Sequence, residues 1–508
     1  MSHATPEVIV IGSGFGGAAC ARRLVEAGMR VALLERGPWR DTVPVRSMGI
    51  SERAPLPRGR RALRDLVRTV RHRWLPGGRA TVNARGLFEI HLDRGLHVVC
   101  SSGVGGGSHV YAGLNVRPPD PHWWDSLGPG LSEHALAPHY ARVLEQLGSR
   151  QPLADDQLPN TLAARFGANP AFDVAGADHA LAMGLLFPAT PGQPRLVRNA
   201  DGIERWEARA GEEGNLGSEG GGKTTLDFAM LAPAIRHGLQ VLDLHEVNHL
   251  QRTATGYAVH ARDHRQRRDV VLAAPRVVLA AGTLNTNALL LESVARGGLA
   301  AIDGLGECFG GNGDFFGYWK LDDRERDLSA SFPAHGLIRL AETEPLGPGR
   351  EWPAIAVGAL PTPHQLPLGR WLSRLLREGS FVAAMGVDAQ DGRVRRDGSR
   401  LRIDYEPTRS AIFARIRDAF ALLGTHSGRR VYHLATPITV HPTGGARIGH
   451  SRADGVVDGA GEVFANPGLY VADAAAFPKP VGGPPSLTIA AWGDFVGAQL
   501  AAHHASPH

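Results

Sequence analysis

Lysine is nearly missing from this chain of 508 residues: Lys223, Lys320 and Lys479 are the whole set, and arginine carries the positive charge. A catalytic lysine therefore has few candidates. Cysteine is equally scarce, with only Cys20, Cys100 and Cys308. Three cysteines exclude a disulfide framework, and none stands in a CxxC or zinc-ligand spacing, so no metal site is expected. No apolar run is long enough to span a bilayer. The first apolar run starts near Glu7 and leaves no room for a signal peptide, so the expected location is cytoplasmic. The net charge of +5 is small for this length. The chain lacks internal repeats and low-complexity segments, and its size suits two domains sharing a large core.

What is present begins at once. Val8 to Ile11 is apolar, Gly12-Ser13-Gly14-Phe15-Gly16-Gly17 follows, then a helical stretch from Ala18 to Ala27 and a second apolar run, Val31 to Leu34, ending on Glu35. Strand, glycine turn, helix, strand and acid in that order predict a dinucleotide site. Gly12 permits the tight turn, Gly14 lets a pyrophosphate approach the backbone, and Gly17 lets the helix pack on the strand. The helix N-terminus offers free N–H groups to phosphates. Glu35 can bind ribose hydroxyls, which argues against a 2′-phosphate and so against NADP. This stretch alone does not separate FAD from NAD.

Arg58 to Trp74 is rich in arginine, with Leu63, Leu66, Val67, Val70 and Trp74 at helical spacing. It predicts a basic amphipathic helix, either a solvated surface element or, within 40–90, a lid or a peripheral contact with an anionic membrane. It lacks the interleaved aromatics of nucleic-acid binding. His97 to Cys100 predicts a strand running into Ser101-Ser102-Gly103-Val104-Gly105-Gly106-Gly107-Ser108, a second place where backbone must approach a ligand. Gly222 to Asp227 opens a helix, Leu239 to Leu244 returns as a strand, and Arg276 to Ala281 is a buried strand turning at Gly282 into a helix from Asn285 to Glu292. From 315 to 430 strand-like segments (Ile355 to Leu360, Phe381 to Val387, Leu401 to Asp404) alternate with turns before a helix from Arg409 to Leu423. The expected class is α/β: a Rossmann-like nucleotide-binding domain, with a substrate domain built on an antiparallel sheet covered by helices. The last seventy residues hold His441-Pro442-Thr443-Gly444-Gly445, an apolar strand Leu469 to Val471 leading to Asp473, and a helix from Ser486 to Leu500 after Pro484-Pro485.

Five separated blocks of this chain resemble, in the same order, the glucose–methanol–choline (GMC) flavoprotein oxidoreductases, nearest to the bacterial cholesterol-oxidase-like members. They are Gly12–Gly17 with Glu35, Gly103–Ser108, Gly222–Asp227 with the strand to Val247, Val277–Gly282, and His441–Ile489. The resemblance implies FAD, held by a discontinuous domain of residues 1–125, 215–314 and 431–508, with 126–214 and 315–430 binding substrate. By the same resemblance Gly12, Gly14, Gly17 and Glu35 hold the ADP part, with Phe15, Gly16 and Arg36 beside it. Val247 contacts adenine through its backbone. Gly103, Gly105, Gly106, Gly107 and Ser108 pass beside the flavin ring. Asp473 binds the ribityl–pyrophosphate region near Ala281, Gly282 and Ala474. Pro484, Thr488 and the start of the final helix lie near the flavin's pyrimidine edge, where a helix dipole stabilises an anionic reduced flavin.

His441 matches the family's active-site histidine. Oxidising an alcohol removes a hydroxyl proton as hydride leaves for flavin N5, and an imidazole suits that transfer. The implied activity is oxidation of a small-molecule alcohol, hydrophobic or polycyclic, to a carbonyl, with oxygen or another acceptor such as a quinone taking the electrons. Two departures bear on it. Pro484 stands where the family has a second polar residue, Asn or His, which keeps open a non-redox or light-driven lyase or decarboxylase on the same fold. In Trp352-Pro353-Ala354-Ile355-Ala356, Ala354 stands where cholesterol oxidases carry the glutamate that moves the steroid double bond, so no coupled isomerisation is expected. His109 sits one position short of the family's covalent attachment point, and the FAD is expected to be non-covalent.

Overall fold

Every residue of Val8–Ile11 and Val31–Leu34 is buried, as befits strands covered on both faces. They form the centre of a five-stranded parallel sheet in the order Gln240–Leu242, Val31–Leu34, Val8–Ile11, Arg276–Leu279, Leu469–Val471. The register sets Ile9 opposite Ala32 on one side and Val277 on the other. The sheet comes from a computed structural model that describes residues 5–174, 181–334, 336–340, 353–360 and 362–505.

The helix after the glycine turn, Phe15–Glu26, crosses the C-terminal helix Ser486–Ala505. Glycines let the two backbones meet: a Cβ on Gly493 would lie 2.2 Å from the Gly16 carbonyl oxygen. The helix Glu133–Leu147 also packs on the C-terminal helix. Leu136, Tyr140, Val143 and Leu147 lie in the same core as the parallel sheet. The resemblance places this stretch, within 126–214, in the substrate-binding part.

The second body is a six-stranded sheet with antiparallel pairing throughout. Its order is Arg430–His433, Phe315–Lys320, Ser380–Ala384, Ile355–Gly358, Gly336–Leu340, Phe172–Asp173. The helix Ala411–Ser427 covers it with Ile412, Ile416, Phe420 and Leu423, which meet Phe315, Trp319, Val357 and Val382 in one core. The expected strand Leu401 to Asp404 does not join this sheet. It pairs instead with Arg393–Asp397 in a separate hairpin.

The expected helix from Arg58 to Trp74 is the largest correction. Only Ala62–Leu66 is α-helical, and Val67–His72 is a strand parallel to Phe88–Leu92. Val67, Thr69 and Val70 are β-branched, and two of the arginines turn to acids on other strands: Arg68 to the half-buried Glu246 at 2.8 Å, and Arg71 to the buried Glu89. Leu63 and Trp74, read as part of an apolar stripe, are exposed. The strand belongs to a five-stranded sheet, Ile438–Thr439, His97–Ser101, Phe88–Leu92, Val67–His72, Arg79–Thr81. Among the described residues no helix is long and apolar enough to cross a membrane.

Candidate active site

A cavity of about 1260 Å³ runs along the carboxyl edge of the parallel sheet, where open α/β sheets hold ligands. At one end it is lined by Gly12, Ser13, Gly14, Phe15, Gly16, Glu35, Arg36 and Val247, and at the other by Tyr111, Phe316, Phe381, Met385, His441 and Pro484. Between them lie Gly106, Gly107, Ala281, Gly282, Asp473 and Ala474.

The glycines have different reasons to be there. A Cβ on Gly12 would sit 2.2 Å from the Ala280 carbonyl oxygen, on Gly16 1.7 Å from that of Ala472, and on Gly17 2.0 Å from that of Gly12. These three allow backbone to pack on backbone. A Cβ on Gly14 would meet nothing within 4 Å. Gly14 alone of the four opens onto space, as a residue does when something other than protein approaches it. Gly106 closes against it, its Cβ position 2.6 Å from the Gly14 Cα. The two glycine loops thus touch, and a ligand on one must pass the other.

Glu35 ties them together. Its carboxylate accepts from the Ser13 N–H at 3.1 Å, the Ser13 hydroxyl at 2.7 Å, the Gly37 N–H at 2.9 Å and the Gly103 N–H at 3.4 Å. Arg36 lines the cavity and pairs with the buried Glu89. Burial alone would push the Glu89 carboxyl up, but Arg36, His91 and Arg71 overturn this and hold it well below the usual range. Asp473 accepts from the Thr286 hydroxyl at 2.6 Å and from the N–H groups of Gly282 and Ala475, both at 2.9 Å. Burial pushes its carboxyl up to about 6 despite these donors.

Several residues expected at the cofactor turn away. Gly103 and Gly105 do not line the cavity: Gly103 packs on Arg40, and Gly105 donates its N–H to the Ser13 hydroxyl at 3.1 Å. Ser108 is buried, donating to the Gly105 carbonyl at 2.7 Å. Thr488 is a correction of helix phase. Ser486 and Ile489 line the cavity, whereas Thr488 points into the core and accepts a bond from the Tyr140 hydroxyl at 3.2 Å. His109 is fully buried, its Nε2 2.7 Å from the Val104 carbonyl and 3.7 Å from Asp227. Burial lowers its pKa. Trp352 lies outside the described residues. Ala354 is half-buried, and Ala356 rather than Ala354 reaches the cavity.

His441 is oriented by a partner the sequence did not suggest. Its Nδ1 lies 2.9 Å from a carboxylate oxygen of Asp314, which is fully buried. The same carboxylate accepts from the Thr439 hydroxyl at 2.8 Å and the Val440 N–H at 3.1 Å, so its position is fixed. A carboxylate only accepts, so the imidazole hydrogen sits on Nδ1 and Nε2 keeps a free lone pair. The loop bearing Asp314 also fixes the opposite wall. Asn312 donates to the Gly483 carbonyl at 2.9 Å and accepts from the N–H groups of Val481 and Gly482, at 2.9 and 3.0 Å, just before Pro484. The signal for this loop is Gly310-Gly311-Asn312-Gly313-Asp314 itself, a glycine-dense turn with two short polar side chains running into a strand.

The substrate-side end is apolar. Phe316 and Phe381 stack with centroids 5.3 Å apart and planes 25° apart, beside Leu114, Ala356, Val357 and Met385.

Comparisons with known proteins point to one family. Residues 198–302 and 383–493 match the N- and C-terminal family models described as GMC oxidoreductase, and residues 10–38 match an NAD(P)-binding Rossmann-like domain. A cholesterol oxidase of Mycobacterium tuberculosis is 28% identical over 543 residues, spanning 96% of this chain and 89% of its own. One from Acinetobacter baumannii is 24% identical, spanning 98% and 95%. The crystal structure of pyridoxine 4-oxidase from Mesorbium loti superposes with a TM-score of 0.63 at 19% identity, covering 99% of this chain and all of that one, a likeness of fold.

Proposed function

We propose that this chain, which belongs to the GMC oxidoreductases and acts on CH–OH donors, oxidises a hydrophobic or polycyclic alcohol to its carbonyl with His441 as the base. The observation that carries this is the His441–Asp314 pair, which leaves an imidazole nitrogen without a protein partner on a cavity that Phe316, Phe381, Ala356 and Met385 also line.

The residues fit FAD, the cofactor of this family. Gly14 opens onto the cavity beside a helix N-terminus, and Glu35, Arg36 and Val247 lie at the nucleotide end. Gly12, Phe15, Gly16, Gly106, Gly107, Ala281, Gly282, Asp473 and Ala474 would flank the rest, with Pro484, Ser486 and the C-terminal helix at the far end. Bound FAD supplies a two-electron acceptor for the hydride lost by the carbinol carbon. His441 Nε2 accepts the hydroxyl proton, and Asp314 stabilises the imidazolium that results. Pro484 brings no polar side chain to the substrate oxygen, so the proton transfer is assigned to His441. The apolar walls exclude water from the reacting carbon. The buried ring of His109, bonded to Val104 and turned from the cavity, supports a non-covalent cofactor. Ala354, half-buried outside the cavity, supports oxidation without isomerisation, so cholesterol should not yield the conjugated enone.

The test is anaerobic titration of the purified flavoprotein with a panel of alcohols. Neutral apolar alcohols should bleach the oxidised flavin, and His441→Ala should slow this by about 10²–10⁴-fold. Full bleaching at the wild-type rate by His441→Ala would refute the mechanism. Pro484 favours one other reading, a lyase that never reduces its flavin. No bleaching by any alcohol would favour it.

A further inference from the structure

Lys223 is fully buried and takes no part in the chemistry above. Its ammonium has three N–H donors, and three backbone carbonyls receive them: Gly214 at 2.7 Å, Tyr111 at 2.9 Å and His109 at 3.0 Å. Those carbonyls belong to two segments far apart in sequence. Tyr111 lines the cavity from one and Asn215, next to Gly214, from the other. Tyr111 is fastened a second time, its hydroxyl donating to the carbonyl of Thr224, the residue after Lys223, at 2.8 Å. The charged and titratable groups facing the ammonium are Glu213, whose carboxylate accepts the Lys223 backbone N–H at 2.8 Å, Arg58, the His109 imidazole, and the Tyr111 ring 5.6 Å from Nζ. Burial holds the amine below the ordinary lysine value, Glu213 opposes this, and Arg58 adds to it.

We propose that Lys223 is a positioning residue that clamps residues 109–111 and 214–215 into one substrate-facing wall, and that it does so only as the ammonium ion. The reason is a count of hydrogens. A neutral amine has two N–H groups and must abandon one of three carbonyls, leaving it buried and unsatisfied. The clamp is complete at low pH and loosens as pH rises through the titration of Lys223. The inference rests on the reading that this end of the cavity takes the alcohol.

The test uses FAD-loaded protein with two readouts, hydrogen exchange and the KM for whichever alcohol bleaches the flavin. Lys223→Met keeps the chain length and removes every donor. Exchange at residues 109–115 and 214–217 should quicken, and KM should rise about tenfold with kcat nearly unchanged. In wild type KM should rise from neutral to alkaline pH, and in Lys223→Met it should be high and flat. Glu213→Gln keeps an acceptor for the Lys223 N–H but removes the charge that favours the ammonium, so the rise in KM should begin at lower pH. A side chain that merely fills space would produce no such displacement. Unchanged exchange and KM in Lys223→Met would overturn the proposal. If that variant does not fold, an undisplaced pH profile in Glu213→Gln would overturn it. If no alcohol bleaches the wild-type flavin, the functional reading fails while exchange still decides the clamp.

Discussion

Two neighbouring glycines should fail in opposite ways. Gly14 sits at φ −70°, a conformation alanine adopts freely, and its added Cβ would enter open cavity. Gly14→Ala should therefore fold with stability within about 1 kcal/mol of wild type. The methyl would occupy the space through which a pyrophosphate reaches the backbone, so flavin content should fall to near zero. Gly16→Ala places its methyl 1.7 Å from the Ala472 carbonyl oxygen, and Gly16 also meets Gly493 of the C-terminal helix. Neither obstacle is a flexible side chain. Backbone must move, at a cost of about 3 kcal/mol or more, a large part of the roughly 5–15 kcal/mol that stabilises a folded chain. The assay is flavin absorbance per protein together with thermal unfolding of the apoproteins. The expected pattern is a colourless, wild-type-stable Gly14→Ala and a poorly folded Gly16→Ala. A Gly14→Ala protein that purifies as yellow as wild type would refute the assignment of this turn to the cofactor.

Asp314→Asn should fold but reduce its flavin with substrate about 10²-fold more slowly, since a carboxamide holds the imidazole without stabilising its charge. Stopped-flow bleaching measures this, and an unchanged rate would leave His441 without its proposed support. Asp473 provides a pH test. Its folded carboxyl is raised from 3.8 to about 6, so the native state binds the extra proton between those values and the ionised form is disfavoured. The stability of apo wild type relative to Asp473→Asn should fall by about 3 kcal/mol as pH rises across that window, two pKa units being worth about that much. Denaturant titrations of both proteins at pH 3.5 and 7 would show it, and a flat difference would refute the raised value. Acid precipitation should leave all flavin in the supernatant, because His109 is turned away from the cavity. A yellow pellet would indicate a covalent bond.

The opening strand, glycine turn and helix were legible because their signals are local. Gly12, Gly14, Gly17 and Glu35 announce a strand, a turn and a helix within one short stretch, and each packs as that reading requires. Asp314 was not legible, because the pair it makes with His441 spans 127 residues and exists only once the sheet has formed. Thr488 failed by one position of helix phase, which no apolar pattern resolves in a helix buried nearly all round. Arg58 to Trp74 failed because its inward-facing arginines were read as a solvated face. Their acids, Glu89 and Glu246, come from other strands.

The meeting of the helix after the first strand with the last helix of the chain has a consequence for how the protein is made. The opening strand cannot gain its inner neighbour until residues 276–279 emerge, nor the sheet its edge until 469–471. The glycine turn lacks the helix that packs against it until residues 486–505 have emerged. During synthesis, the most recognisable stretch of the sequence is thus exposed, apolar and unable to hold its cofactor. Flavin loading becomes a step that follows synthesis of residues 486–505, and removal of that helix should be read out as lost flavin before it is read out as lost catalysis.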